Sequence, residues 1–163
     1  TMIMENLPRV LEEPGNLRAR EDMLVASCMA GLAFTRTGLG YVHAFAHQIG
    51  GHYHVPHGLA NGILLPHVVE FSKPACRPRL ARLARAAAIN IESAGEDQLA
   101  EAFIARLKTL QDELSVPTKV KGLSRDDFES IIDFAFREAH GTYGVPRYMG
   151  RADARTFLEG LLE

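Results

Sequence analysis

Gly40-Tyr41-Val42-His43-Ala44-Phe45-Ala46-His47-Gln48-Ile49-Gly50-Gly51-His52-Tyr53-His54-Val55-Pro56-His57-Gly58-Leu59-Ala60-Asn61 is the stretch on which the fold turns. Tyr41 to Ile49 suits a short helix that the Gly50-Gly51 pair should end, because glycine favours the chain reversal and disfavours the helix. A tight His52 to Pro56 connection should then lead into a second helix, from about Gly58 to Phe71. That helix is apolar nearly all round (Leu59, Ala60, Ile63, Leu64, Leu65, Val68, Val69), so it is expected to be the buried, central element. Pro66 inside it removes one backbone donor and predicts a kink.

Outward from this centre the pattern stays helical. Upstream, Asn16 can cap a helix on which Leu17, Leu24, Cys28 and Leu32 recur on one face to about Arg36, before Gly38 and Gly40 break it. The residues before Asn16 already read as the middle of a helix. Downstream, Leu80, Leu83, Ala84, Ala87 and Ile91 make one amphipathic stripe. Leu99, Phe103, Leu107, Leu110 and Leu114 make a longer one that stops by Pro117. Ser124-Arg125-Asp126-Asp127 resembles a capping box ahead of Phe128, Ile131, Ile132, Ala135 and Phe136, and Ala152 to Leu162 suits a closing helix. No segment alternates as a strand should, and Lys119 to Gly122 reads as a loop. The expectation is one all-α domain over residues 1–163, built as a multi-helix bundle.

A chain of 163 residues has apolar content enough for a core without disulfides or a structural metal. Its net charge of −2 gives no electrostatic footprint for nucleic acid or an anionic membrane surface. No run approaches the roughly 18 apolar residues of a membrane span. The first residues lack the order of a signal peptide, and a cytoplasmic protein is expected. Cys28 and Cys76 lie far apart in apolar helical surroundings, where buried, inert thiols are the usual outcome.

Chemistry concentrates in the histidines. Of seven, five (His43, His47, His52, His54, His57) fall within fifteen residues around the glycine break. Neutral imidazole is a good ligand for divalent iron, zinc, copper or nickel. His43 and His47 are four apart and share a helix face, so either can ligate or relay protons. His57 follows the turn, where spacing lets it fold back towards His43. Two imidazoles alone make a weak site, and no carboxylate is expected in the cluster, the nearest being Glu70, a turn beyond His67. His52 and His54 are expected to face solvent or the backbone, and His67 to be a satisfied core or interface histidine.

The pattern His-x₃-His-x₂-Gly-x₆-His-Gly, from His43 to Gly58, followed by Leu59-Ala60-Asn61 and Leu64-Leu65-Pro66, closely resembles the signature of iron-containing alcohol dehydrogenases. The flanking Asn6-Leu7-Pro8, Ala19-Arg20-Glu21 and Ala30-Gly31-Leu32-Ala33-Phe34 are similar to that family's segment before the signature. The fold implied is the helical C-terminal domain of dehydroquinate synthase-like and iron-containing alcohol dehydrogenase proteins. The resemblance implies that His43 and His57 are metal ligands for Fe²⁺ or Zn²⁺. It moves His47 from the metal, where spacing alone puts it, to the nicotinamide and the reacting alcohol. There His47 would act as a catalytic and cofactor-facing group in proton relay or substrate positioning. Phe34 matches a substrate-pocket position, although an aromatic at helical spacing is more often core. His140, near Val145-Pro146-Arg147 where many relatives have Asn-Pro-Arg, is a further pocket candidate.

The implied activity is reversible hydride transfer between a small-molecule alcohol or aldehyde and NAD or NADP in the intact enzyme, expected to be a homo-oligomer. The family's other two ligands, in Asp-x₃-His spacing, and its glycine-rich dinucleotide loop would lie before Thr1. The 163 residues are therefore expected to carry half a metal site, to hold metal weakly and to be inactive alone. The alternative is a stand-alone helical metal-binding or interaction module. A metal-assisted hydrolase is disfavoured, because it would need a general-base carboxylate near the histidines, as in His-Glu-x-x-His, and none is expected there.

Overall fold

A computed structural model describes residues 1–89 and 91–163. Among these residues seven α-helices appear in order: α1 (Met2–Glu12), α2 (Leu17–Thr37), α3 (Tyr41–Tyr53), α4 (His57–Ala86), α5 (Glu96–Glu113), α6 (Phe128–Ala139) and α7 (Arg151–Glu159). A single 3₁₀ turn, Arg125–Asp127, leads into α6. Among the described residues there is no strand. The all-α expectation holds.

The principal core is built where α3 meets α4 on one side and α6 on the other, with α7 closing it. Its centre is carried by Phe45, Ile49, Leu64, Ile131, Ile132 and Leu158, all fully buried. The Phe45 ring lies 4.9 Å from that of Phe157 and 6.3 Å from that of Phe136, so one side chain of α3 joins α6 and α7. A second apolar cluster, Cys76, Leu80, Ala100 and Ile104, seals α4 to α5. Gln111, buried in α5, donates its amide to the carbonyls of Gly62 and Pro117 at 3.2 and 3.3 Å. It thereby satisfies acceptors that the packing would otherwise leave dry.

Several boundaries differ from the sequence reading, each for a physical reason. Helix α3 runs through Gly50-Gly51 to Tyr53, so His52 is helical. Burial of the α3 face overrides glycine's weak propensity, and the reversal is made by His54 in the left-handed region (φ 55°). Gly50 serves packing instead: a Cβ there would stand 3.4 Å from the Val55 carbonyl oxygen, at the limit of comfortable contact. Helix α4 is one element of 30 residues, and its non-helical residue is Cys76 (φ −138°, ψ 20°), between Pro74 and Pro78, rather than anything near Pro66. Two prolines four apart remove the Pro74 carbonyl's partner, and the chain breaks there. Ser124 caps as expected, its Oγ accepting from the Asp126 amide at 3.2 Å, but what it caps is the 3₁₀ turn.

Helix α2 starts as its sequence predicts, with Asn16 Oδ1 accepting from the Ala19 amide at 3.1 Å. The face assigned to the core does not lie in it. Leu17, Leu24 and Leu32 are 79%, 73% and 69% exposed, and Cys28 is exposed beside them, while Ala19 and Ala26 are the buried residues of the helix. Small side chains make its inward contacts, and the large apolar ones point outward. Cys76, by contrast, is buried, its Sγ 3.1 Å from the Ser72 carbonyl, and burial pushes its thiol pKa up. The two thiols therefore separate: a thiol-reactive chromophore should modify Cys28 at once in the native 163-residue chain and Cys76 only after denaturant is added. Equal, immediate reaction of both would contradict this packing.

Candidate metal and proton-transfer site

The site forms because α3 and α4 are joined by a connection too short to separate them. Pro56 precedes α4 in an extended conformation (φ −53°, ψ 137°), and His57 is the helix's first residue, so its ring returns to the face of α3 that carries His43 and His47. The three rings converge. Centroids are 5.4 Å apart for His43 and His57, 6.0 Å for His43 and His47, and 5.2 Å for His47 and His57, the last pair nearly parallel at 17°. His52 and His54 are exposed and outside this group, as expected. His67 is half-buried, and burial lowers its pKa.

Burial, and then the neighbouring His57 and His47, hold the His43 pKa below its usual value. A neutral ring with a free lone pair is the form a cation needs. His57 is constrained differently. Asn61 Nδ2, one turn on, lies 3.1 Å from His57 Nε2 and donates to the His57 carbonyl at 2.8 Å, while its own buried Oδ1 has no partner among the described residues. The donor set fits a divalent metal in kind, since two imidazoles face each other, but not in number. Among the described residues no three His, Cys, Asp or Glu side chains are arranged to hold an ion.

One expectation about this cluster is overturned. A carboxylate does reach it, from 91 residues away: Glu138 Oε1, on α6, is 2.7 Å from His47 Nδ1, and the Tyr143 hydroxyl donates to the same oxygen at 2.7 Å. Burial, followed by the adjacent Glu138, pushes the Tyr143 hydroxyl up to about 12, so it remains a donor at any ordinary pH. No local signal in the sequence marks Glu138 or Tyr143, because the contact depends on α3 packing against α6.

Phe34 stands beside the histidines at the cleft wall. Its ring centroid is 6.4 Å from that of His43, and both line an apolar cleft of about 580 Å³ together with Leu39, Leu65, Val68 and Leu80. His140 is placed differently from its expectation as a pocket residue. The Tyr41 hydroxyl lies 2.9 Å from its Nε2 and the Tyr148 hydroxyl 2.8 Å from its Nδ1, and its ring lies 4.2 Å from those of Phe136 and Tyr148. Tyr41 Oη also accepts the Met149 amide at 2.9 Å. Both ring nitrogens are occupied in holding the end of α6 to the Tyr148-Met149 segment, and His140 is not among the residues lining the cleft. Arg147 is likewise structural: it donates to the Phe71 carbonyl at 2.9 Å and lies 4.2 Å over the Phe71 ring.

Residues 1–161 match the family described as Fe-containing alcohol dehydrogenase family, C-terminal. The chain belongs to that family. It is 37% identical over 148 residues to 1,3-propanediol dehydrogenase of Klebsiella pneumoniae, covering 90% of this chain and 38% of that protein. It is 32% identical over 163 residues to an NADPH-dependent butanol dehydrogenase of Clostridium saccharobutylicum, covering 97% of this chain and 41% of that one. The crystal structure of a 1,3-propanediol oxidoreductase superposes with a TM-score of 0.92 at 33% identity, over 99% of this chain and 42% of its own. This member of the iron-containing alcohol dehydrogenase family thus spans well under half the length of the relatives it matches. Among its described residues no single helix is long and apolar enough to cross a membrane.

Proposed function

We propose that these 163 residues are the helical metal-binding domain of a metal-dependent alcohol dehydrogenase, which interconverts an alcohol and an aldehyde or ketone with NAD or NADP. The convergence of His43, His47 and His57 at the wall of an apolar cleft carries this reading. His43 and His57 would hold Fe²⁺, or Zn²⁺, with further ligands and the dinucleotide site supplied by residues outside this chain. Bound there, a divalent metal would supply Lewis-acid polarisation of the alcohol oxygen, and a nicotinamide would supply the hydride acceptor.

The chain's own residues do the rest. His47 presents Nε2 to receive the hydroxyl proton as the carbonyl forms, and returns it in the reverse direction. Phe34 and the apolar lining bind the carbon chain of a small-molecule alcohol or aldehyde and exclude water. The net charge of −2 gives no electrostatic footprint for nucleic acid or an anionic membrane surface, which leaves the small-molecule reading as the better fit.

Elemental analysis and cofactor reduction test the reading. The full-length enzyme should hold about one metal per subunit and reduce NAD or NADP with simple primary alcohols only when metal is present. The 163 residues alone should hold substoichiometric metal and reduce neither. A metal-replete full-length enzyme that reduces neither cofactor with a panel of alcohols would falsify the dehydrogenase reading.

A further inference from the structure

The contact between α3 and α6 does more than pack. Glu138 is partly buried at the end of α6, and its Oε1 is met by two groups that no local sequence motif brings together: His47 Nδ1 at 2.7 Å and the Tyr143 hydroxyl at 2.7 Å. A carboxylate only accepts, so the proton in the first contact belongs to His47 Nδ1 and in the second to Tyr143 Oη. The Tyr143 ring lies beside Gly38, a residue at φ 73° in the break between α2 and α3, 3.7 Å from where a Cβ would stand there. On the other side the His47 ring stacks on His57 at 17°. Carboxylate, hydroxyl and stacked ring together leave His47 one unengaged nitrogen, Nε2, which has no hydrogen-bond partner among the described residues.

We propose that Glu138 is a positioning residue for His47: its carboxylate, oriented by the Tyr143 hydroxyl, accepts Nδ1–H and fixes the tautomer whose Nε2 lone pair faces the reacting group. The hydrogen bond made by one ring nitrogen decides which nitrogen carries the proton, and free histidine in water prefers the opposite, Nε2–H form. Without Glu138 the ring would turn and would present a proton where a lone pair is required. The catalytic half of this inference rests on the dehydrogenase reading. The tautomer half rests on the contacts alone.

Two readouts keep those halves apart. In the ¹⁵N-labelled 163-residue chain, long-range ¹H–¹⁵N correlation spectra assign the tautomer of each imidazole. His47 should be the Nδ1–H form in the parent chain and in Glu138→Gln, whose carbonyl oxygen can accept the same bond, and should move towards Nε2–H in Glu138→Leu. A parent chain with His47 in the Nε2–H form overturns the proposal without any variant, as does a tautomer unmoved in Glu138→Leu. In the full-length enzyme, Glu138→Leu should lower kcat by about 10- to 100-fold, the scale of lost orienting partners, with KM for the cofactor and metal content unchanged. Glu138→Gln should recover part of that loss, and Tyr143→Phe should lower kcat by less than Glu138→Leu does. Unchanged kcat in Glu138→Leu overturns the catalytic half. A parent enzyme without alcohol-dependent cofactor reduction overturns that half together with the dehydrogenase reading, and the spectra still report the pairing.

Discussion

Phe45→Ala destabilises the 163-residue chain by about 3–5 kcal/mol, the cost of removing an aromatic ring from a core that cannot collapse around the space. Phe45 is 0% exposed and sits where α3, α6 and α7 meet, with the Tyr41, Phe136 and Phe157 rings within 6.4 Å of its own. Each neighbour is held from its own helix, so no single side-chain rotation fills the gap. Urea unfolding followed by helical circular dichroism measures the loss as a fall in midpoint at nearly unchanged slope. Phe45→Leu should cost less, since it keeps much of the buried apolar area. The consequence reaches the site, because Phe45 lies between His43 and His47 on the same helix and anchors the inward face while they project from another. A measured loss below about 1 kcal/mol would mean that this ring does not fasten the three helices, and the packing described for α3 would be wrong.

Much of this was legible in the sequence. The 3.6-residue periodicity of α5 and α6 is largely kept: Leu99, Leu110, Phe128, Ile131, Ile132 and Ala135 are buried, while Phe103, Leu107, Leu114 and Phe136 are half-buried. The His43, His47 and His57 constellation was legible because it is local: two residues on one turn and a third just past a tight reversal. What failed was what depends on a partner. Periodicity reports that a face is apolar and not what lies against it, so Leu17, Leu24 and Leu32 read as core although nothing among the described residues covers them. Glycine propensity is worth only about 1 kcal/mol, less than the burial of the α3 face, so Gly50-Gly51 did not end that helix. Glu138 and the double capture of His140 were out of reach for the same reason. Both are products of α6 lying against α3, and such contacts leave no spacing in the chain.

His57→Ala should strip the full-length enzyme of its metal, whereas His47→Ala should leave the metal and stop the chemistry. The geometry of three rings 5.2 to 6.0 Å apart does not by itself separate ligand from relay; the proposed function gives the metal to His43 and His57 and the proton to His47. His47 has one nitrogen committed to Glu138, and a ring so tethered is suited to exchanging a proton through the other. His57 is exposed, and its ring's hydrogen-bond partner is the neutral amide of Asn61, which keeps its second bond, to the His57 carbonyl, when the ring is gone. Folding should therefore tolerate His57→Ala, with a shift in thermal midpoint of no more than about 2–4 °C. Losing an orienting partner costs about 10- to 100-fold in metal affinity, so losing a ligand from a site in which this chain supplies only two should exceed about 100-fold. Metal content after gel filtration should then fall from near one per subunit to a small fraction. His47→Ala should retain metal and lose about 10²- to 10⁴-fold in kcat, the range of general acid–base contributions. If the metal follows His47 and survives the loss of His57, the two rings exchange roles, and the Glu138 contact would have to be reinterpreted as support for a ligand.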